Sequence, residues 1–174
     1  RFAGPAFTVN VAIGALGTFR PEEFDIPAYV DHAAPGEVIA IDAGGAMVSM
    51  MGGAAATAAK LRGVAGIVVH GGVRDLDEIV ESGMDLFVQH AVPVSGRTRV
   101  RTAATQVPIK LEGVTVRPGD ILVGDSTGVV CIPKDRLHEV FALAEKAEAT
   151  DRVIFEHVRQ GKGIGEAARI AKGG

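Results

Sequence analysis

MGGAAATAAKLRGVAGIVVHGGVRDLDEI, residues 51–79, is the stretch on which the fold turns. Gly52-Gly53 open a helix, AAATAAKLR continues it, and Gly63 ends it. Gly66-Ile67-Val68-Val69-His70 is a short β-branched run, the pattern of a buried strand. Gly71-Gly72 then predict a turn, and Val73-Arg74-Asp75-Leu76-Asp77-Glu78 lead into a second helix. This is one supersecondary unit, and it ends on chemistry. The glycines let backbone come close to a ligand. Arg74 offers a planar fork for a carboxylate. The acids offer hard oxygen ligands for a metal.

Working outward toward the N-terminus, residues 37–42 form a strand that is expected to end at Ala43-Gly44-Gly45, after a turn at Pro35-Gly36. Residues 24–34 read as a short helix interrupted by Pro27, residues 14–23 as a loop, and residues 6–12 as a first strand. Toward the C-terminus, residues 86–89 read as a strand. Residues 107–111 and 114–116 flank Glu112-Gly113, a hairpin signal. Residues 117–120 are a turn. Residues 121–124 and 128–132 are two strands joined across Asp125-Ser126-Thr127. Pro133 closes the last strand and opens a long helix over about residues 134–159, in which Leu137, Val140, Phe141, Ala144 and Ala147 keep helical spacing. A short tail helix follows Gly161-Lys162-Gly163. The strands are many and short, and the second half is strand-rich without intervening helices. That pattern predicts an α/β sandwich of mixed sheets with flanking helices rather than a doubly wound sheet, in a single domain over residues 1–174.

The 174 residues, 47% hydrophobic and 22% charged, suffice for one domain with a core and exclude a disordered chain. The net charge of −3 argues against a nucleic-acid-binding face. Arg97, Arg99 and Arg101 make a basic strip that exposure to solvent explains. A single cysteine, Cys131, excludes an intrachain disulfide, and the apolar run around it predicts a buried, inert thiol. Both suit the cytoplasm. No apolar run approaches the ~20 residues needed to span a bilayer, and no signal-peptide pattern is present. The sequence starts at Arg1, directly before strand-like residues, so further residues upstream are expected.

Each candidate site residue has a plain structural alternative. Asp75 can cap the second helix with Glu78 as its capping-box partner, or it can hold a metal; spacing leaves both open, and the two roles are compatible. Gly52-Gly53 can be a tight loop-to-helix turn or an anion cradle, with free N–H groups and the positive helix end facing a carboxylate or phosphate. The pattern lacks the Lys-Ser/Thr of a P-loop and the order of a dinucleotide fingerprint, so a small carboxylate fits better than a nucleotide. Asp42-Ala43-Gly44-Gly45 reads as a strand end rather than a methyltransferase cofactor loop. His70 reads as a satisfied core or rim histidine, and the scattered His32, His90, His138 and His157 make no zinc cluster. Asp120 and Asp125 sit in turns, where aspartate is favoured anyway.

Taken together these residues resemble the RraA-like family, which contains class II 4-hydroxy-4-methyl-2-oxoglutarate/4-carboxy-4-hydroxy-2-oxoadipate aldolases and regulators of ribonuclease E. The aldolase branch looks like Gly-x20-Arg-Asp-x2-Glu/Asp. Gly53, twenty residues, Arg74, Asp75, two residues and Glu78 match it throughout. The stretches RFAGPAFTV at residues 1–9, PGEV at 35–38, GVTVRPGD at 113–120 and GVV at 128–130 are similar to its other landmarks. Met51 departs from the pattern, standing where many relatives carry an aromatic, and the family's leading helices are absent before Arg1. The regulators tend to lose the Asp after the Arg; this chain keeps Asp75.

The resemblance implies an α-β-β-α sandwich of the swivelling β/β/α type with a long C-terminal helix. It implies a lyase that releases pyruvate from a 4-hydroxy-2-oxo acid, with oxaloacetate decarboxylation as a side activity. Mg²⁺ or Mn²⁺ would be held by Asp75 and by Glu78, directly or through water. The amides of Gly52, Gly53, Ala54 and Ala55 would hold the substrate carboxylate, with Arg74 polarising the keto group. No Schiff-base lysine is required, and Lys60 is expected to face solvent. The family forms homotrimers or dimers of trimers, so a neighbouring chain's acid can join the site, Glu145 and Glu148 being candidates. The other implied role is a non-catalytic regulator of ribonuclease activity.

Overall fold

A computed structural model describes residues 1–173. They divide into two compact units, Arg1–Lys134 and the helical residues from Asp135 onward.

The first unit is a mixed seven-stranded sheet with helices and a small hairpin. β1 (Phe2–Ile13), β2 (Val38–Ser49), β3 (Gly66–Val73) and β4 (Leu86–Ala91) lie side by side and parallel. The helices α2 (Gly53–Leu61) and α3 (Leu76–Ser82) make the crossovers from β2 to β3 and from β3 to β4. The antiparallel strands β8 (Ile121–Asp125) and β9 (Gly128–Ile132) extend the sheet beyond β1, giving the order β4-β3-β2-β1-β8-β9. β5 (Val100–Thr105) pairs with the second half of β1, and β6 (Ile109–Leu111) and β7 (Val114–Val116) form a separate hairpin. Its turn residues, Glu112 and Gly113, have φ of 47° and 82°, the left-handed pair that a tight hairpin needs.

Side chains alternate across a strand, so β2 and β3 feed two cores. Ile39, Ile41, Ile67 and Val69 face one cluster with Ala56 and Ala59 of α2 and Ile79 of α3. Val38, Ala40 and Val68 face the other with Phe2, Ile109, Val116 and Leu122. Burial on both faces is why these strands read as continuous apolar runs. The small residues of α2 let the helix lie close to the sheet, Ala56 and Ala59 both being fully buried. Between its neighbours Gly66 and Gly124 the Phe2 ring lies where any Cβ would overlap it, and it meets Phe87 edge-on at 5.6 Å between centroids.

Four elements differ from the reading of the sequence. β2 does not end at Asp42: it runs on to Ser49, with register shifts around Ala46 and positive φ at Gly44 and Gly45 marking a bulge. Gly71-Gly72 are not a turn but the continuation of β3. A Cβ on either would meet neighbouring backbone or side chain, Val48 and Val92 for Gly72 and Ala43 for Gly71, so the glycines allow close strand approach. β5 carries little apolar signal in the sequence, because it has one buried position, Val100, followed by Arg101 and small or polar residues. The short helix α1 (Pro27–Val30) begins at Pro27 rather than being broken by it, since the first helical position needs no N–H.

The second unit pairs the 23-residue α4 (Leu137–Arg159) with α5 (Ile164–Ala171). The apolar spacing of α4 is helical as read, yet none of its residues is buried, and Phe141 and Phe155 are exposed. No helix among the described residues is long and apolar enough to cross a membrane.

Candidate active site

The crossovers bring the two ends of the decisive stretch together. Gly52 precedes the first turn of α2, and Arg74-Asp75 lie between the end of β3 and the start of α3. Asp75 occupies the N-cap position of α3 but makes no capping bond. Its backbone is left-handed, with φ 60° and ψ 44°. This corrects the capping-box alternative: the carboxylate is turned away from its own helix and onto the neighbouring one. Oδ2 accepts the Gly53 N–H at 3.4 Å and lies 3.2 Å from Nη1 of Arg74. A non-glycine residue with positive φ is uncommon, and such strain concentrates at functional sites.

The double glycine is required by what lies against it. A Cβ at Gly52 would overlap Asp75 Oδ2 and come within 3.3 Å of the Arg74 guanidinium, which lies across this residue. A Cβ at Gly53 would overlap the Glu78 carboxylate. Both acids of the motif therefore sit against the N-terminus of α2, where the helix dipole favours negative charge. One amide of the four, that of Gly53, is directed at the protein's own carboxylate. The N–H groups of Gly52, Ala54 and Ala55 have no partner among the described residues. Ala54 is exposed and Ala55 partly so, while Gly52 and Gly53 are buried. The Arg74 side chain is half exposed and that of Asp75 28% exposed, which leaves both open to a ligand. Arg74, Asp75, Leu76 and Asp77 line a shallow cleft with Ala91, Val92 and Pro93.

Two buried hydroxyls near the site were not singled out in the sequence. Ser49 closes β2 and touches Met51 and Arg74 backbone. Tyr29 donates to the Met50 carbonyl at 2.8 Å. Burial, with a smaller contribution from the Asp25 charge, pushes the Tyr29 phenol well above its ordinary range, so it stays a neutral donor. A lone serine between apolar residues carries no sequence signal of its own.

As donors, Asp75 and Glu78 supply hard oxygens, and no third His, Cys, Asp or Glu converges with them among the described residues. Such a set suits a cation that keeps most of its waters. Lys60 is exposed in the last turn of α2. Glu145 and Glu148 lie on α4 in the second unit.

His70 belongs to a different cluster, on the opposite face of the sheet. Its Nδ1 lies 3.2 Å from both Asp42 Oδ1 and the Lys110 carbonyl. Asp42 also accepts the amides of Gly44 and Lys110 at 3.0 Å. These contacts fasten the β6–β7 hairpin to the sheet, so His70 and Asp42 are satisfied structural groups. Asp120 is similar: buried, it accepts the amides of Arg117 and Lys134. Cys131 is only partly buried, and desolvation followed by the Asp120 charge raises its thiol above the usual value.

Comparison with known proteins identifies the family. The family model described as "RraA-like: Aldolase/RraA" matches residues 1–131. DlpA of Legionella pneumophila is 32% identical over 174 residues, which cover 96% of this chain and 27% of that protein. A Thermus thermophilus protein named 4-hydroxy-4-methyl-2-oxoglutarate aldolase is 34% identical over 135 residues, 77% of each chain. The crystal structure of Streptomyces coelicolor RraAS2, described as an unusual member of the RNase ES inhibitor RraA protein family, superposes with a TM-score of 0.75 at 26% identity. It covers 92% of this chain and 77% of that one. Relatives of this chain thus carry the names of both enzymes and inhibitors. The chain belongs to the RraA-like family.

Proposed function

We propose that the protein is a divalent-metal-dependent lyase that cleaves a 4-hydroxy-2-oxo acid to pyruvate and a second 2-oxo acid, with oxaloacetate decarboxylation as a side activity. The observation that carries this reading is Asp75. Its left-handed backbone turns the carboxylate onto Gly53 and Arg74 at the helix end instead of capping α3. A residue serving only to start a helix has no need of that conformation. The aldolase name of the Thermus relative supports the same reading.

The residues present fit Mg²⁺ or Mn²⁺: Asp75 would hold the ion, Glu78 would hold it directly or through water, and the absence of a Cβ at Gly52 leaves the room that the Asp75 carboxylate occupies. When bound, the metal supplies Lewis acidity toward the 2-keto oxygen. The rest falls to the chain. The unpaired amides at the start of α2 suit the substrate carboxylate. In the aldol cleavage the C3–C4 bond breaks, its electron pair passes into the pyruvate enolate, the 4-hydroxyl loses its proton, and C3 gains one. Arg74 donates N–H bonds toward the oxygen on which negative charge grows, an interaction stronger in the transition state than in the ground state. Decarboxylation of oxaloacetate gives the same enolate. The family's homotrimer or dimer of trimers is part of this proposal, with an acid of the neighbouring chain near the site.

The test is pyruvate release from a panel of 4-hydroxy-2-oxo acids and oxaloacetate, with and without chelator. Activity that requires Mg²⁺ or Mn²⁺ and vanishes in a folded Asp75→Asn variant is expected. Undiminished turnover after exhaustive chelation, or in Asp75→Asn, overturns the reading. A second reading is favoured by the likeness to RraAS2: the same fold acting as a regulator of a ribonuclease. It predicts no metal-dependent turnover with any substrate of the panel, and inhibition of the nuclease on addition of the protein.

A further inference from the structure

Ser49 is the last residue of β2 and only 1% exposed, in a stretch whose next two residues, Met50 and Met51, are also buried. A buried hydroxyl in such a place is costly unless it is bonded. Here both of its capacities are used. The Oγ–H donates to the Met51 carbonyl at 2.6 Å, and Oγ accepts the Arg74 N–H at 3.1 Å. The Arg74 N–H reaches the same Met51 carbonyl at 3.3 Å, so hydroxyl, carbonyl and amide close a triangle. The main chain at this point is already fixed, Ser49 N–H to Val94 and Met50 N–H to Gly72, both at 2.9 Å. The hydroxyl therefore adds nothing to strand pairing. It joins the segment that runs into Gly52-Gly53 to the segment that runs into Arg74-Asp75.

We infer that Ser49 is a positioning residue for the site, a role that for its catalytic part rests on the lyase reading. Arg74 has an exposed guanidinium, and its root is tied down by this triangle. Asp75 follows directly in a conformation that an aspartate leaves when nothing holds it. With the hydroxyl gone, the Arg74 amide loses one of its two acceptors. Residues 74 and 75 can then relax, carrying the carboxylate off the Gly53 N–H. A serine present only for packing would be replaced by alanine with a uniform loss of stability and no local effect.

The experiment compares the full chain with Ser49→Ala and Ser49→Thr, the second keeping the hydroxyl. Amide hydrogen exchange is followed at Arg74 and Gly53, against Ile41 and Val69 in the strands as internal references. In Ser49→Ala, exchange at Arg74 and Gly53 should quicken about tenfold relative to the references, the scale of one lost hydrogen bond. For pyruvate release, kcat should fall by about tenfold or more while KM moves much less, because an interaction used mainly in the transition state has been weakened. Ser49→Thr should recover most of both. Exchange at Arg74 that is unchanged, or that rises only in step with Ile41 and Val69, overturns the inference, as does local loosening without a change in kcat. If the parent chain releases no pyruvate, the lyase reading falls by itself and the exchange ratio in Ser49→Ala alone decides whether Ser49 positions Arg74.

Discussion

Asp75 shows how far a single residue could be read in advance. The Gly-x20-Arg-Asp-x2-Glu spacing is visible in the sequence, and the fold brings those residues against one helix end. The left-handed backbone of Asp75 was not visible, because an aspartate ahead of an apolar run is equally a helix cap. Only the presence of the Gly53 amide across the crossover decides between the two. Ser49 was hidden for a related reason: its partners are backbone groups two and twenty-five residues away. The conformation of Asp75 has a measurable cost. Asp75→Gly and Asp75→Ala both remove the carboxylate, but only glycine takes positive φ freely. Asp75→Gly is therefore expected to be more stable than Asp75→Ala by about 1 kcal/mol, both being inactive. Urea denaturation of the two variants checks this, and equal midpoints would mean that the backbone relaxes in the alanine variant.

At the scale of elements, the helix–strand–helix unit, the Glu112-Gly113 hairpin and the long C-terminal helix were legible from periodicity and turn residues. The glycine-rich ends of β2 and β3 were not. Gly44-Gly45 and Gly71-Gly72 look like turns, but glycine serves equally where strands bulge or crowd one another, and only the neighbours tell which. The same crowding operates at the start of β3, where Gly66 faces the Phe2 ring. Gly66→Ala forces the ring to move in a packed core, with an expected loss of about 1–3 kcal/mol. Thermal or urea unfolding measures it. Because Gly66 lies far along β3 from Arg74, turnover by the variant that remains folded should be close to parental. A loss of turnover at unchanged stability would show that the strand transmits strain to the site.

At the scale of the whole molecule, both core clusters and every residue of the motif belong to the first unit. Its stability is tied to pH through Tyr29. The phenol is buried and neutral in the fold and ionises near pH 10 once unfolded. A folded pKa raised above the unfolded value contributes stability that is fully present below about pH 10 and is lost as the pH climbs further. Tyr29→Phe should cost about 1 kcal/mol at neutral pH, the worth of its hydrogen bond to Met50. Above about pH 10 the variant should lose stability less steeply than the parent. Denaturant midpoints across that range would show the two curves converging; parallel curves would mean that Tyr29 is not the titrating group. One further consequence comes from β1 and concerns time. Its residues find partners in β2, then in β5, and for Phe2 to Pro5 only in β8, at 121–124. On the ribosome these first residues wait for nearly the whole sheet to be made before their edge is paired. Until then Phe2 has no Gly124 to pack against, and the growing chain presents an open apolar strand. Sequence-distant pairing of this kind makes folding slow and early chains adhesive. The molecule's exposure to aggregation is therefore greatest during synthesis, before β8 has emerged.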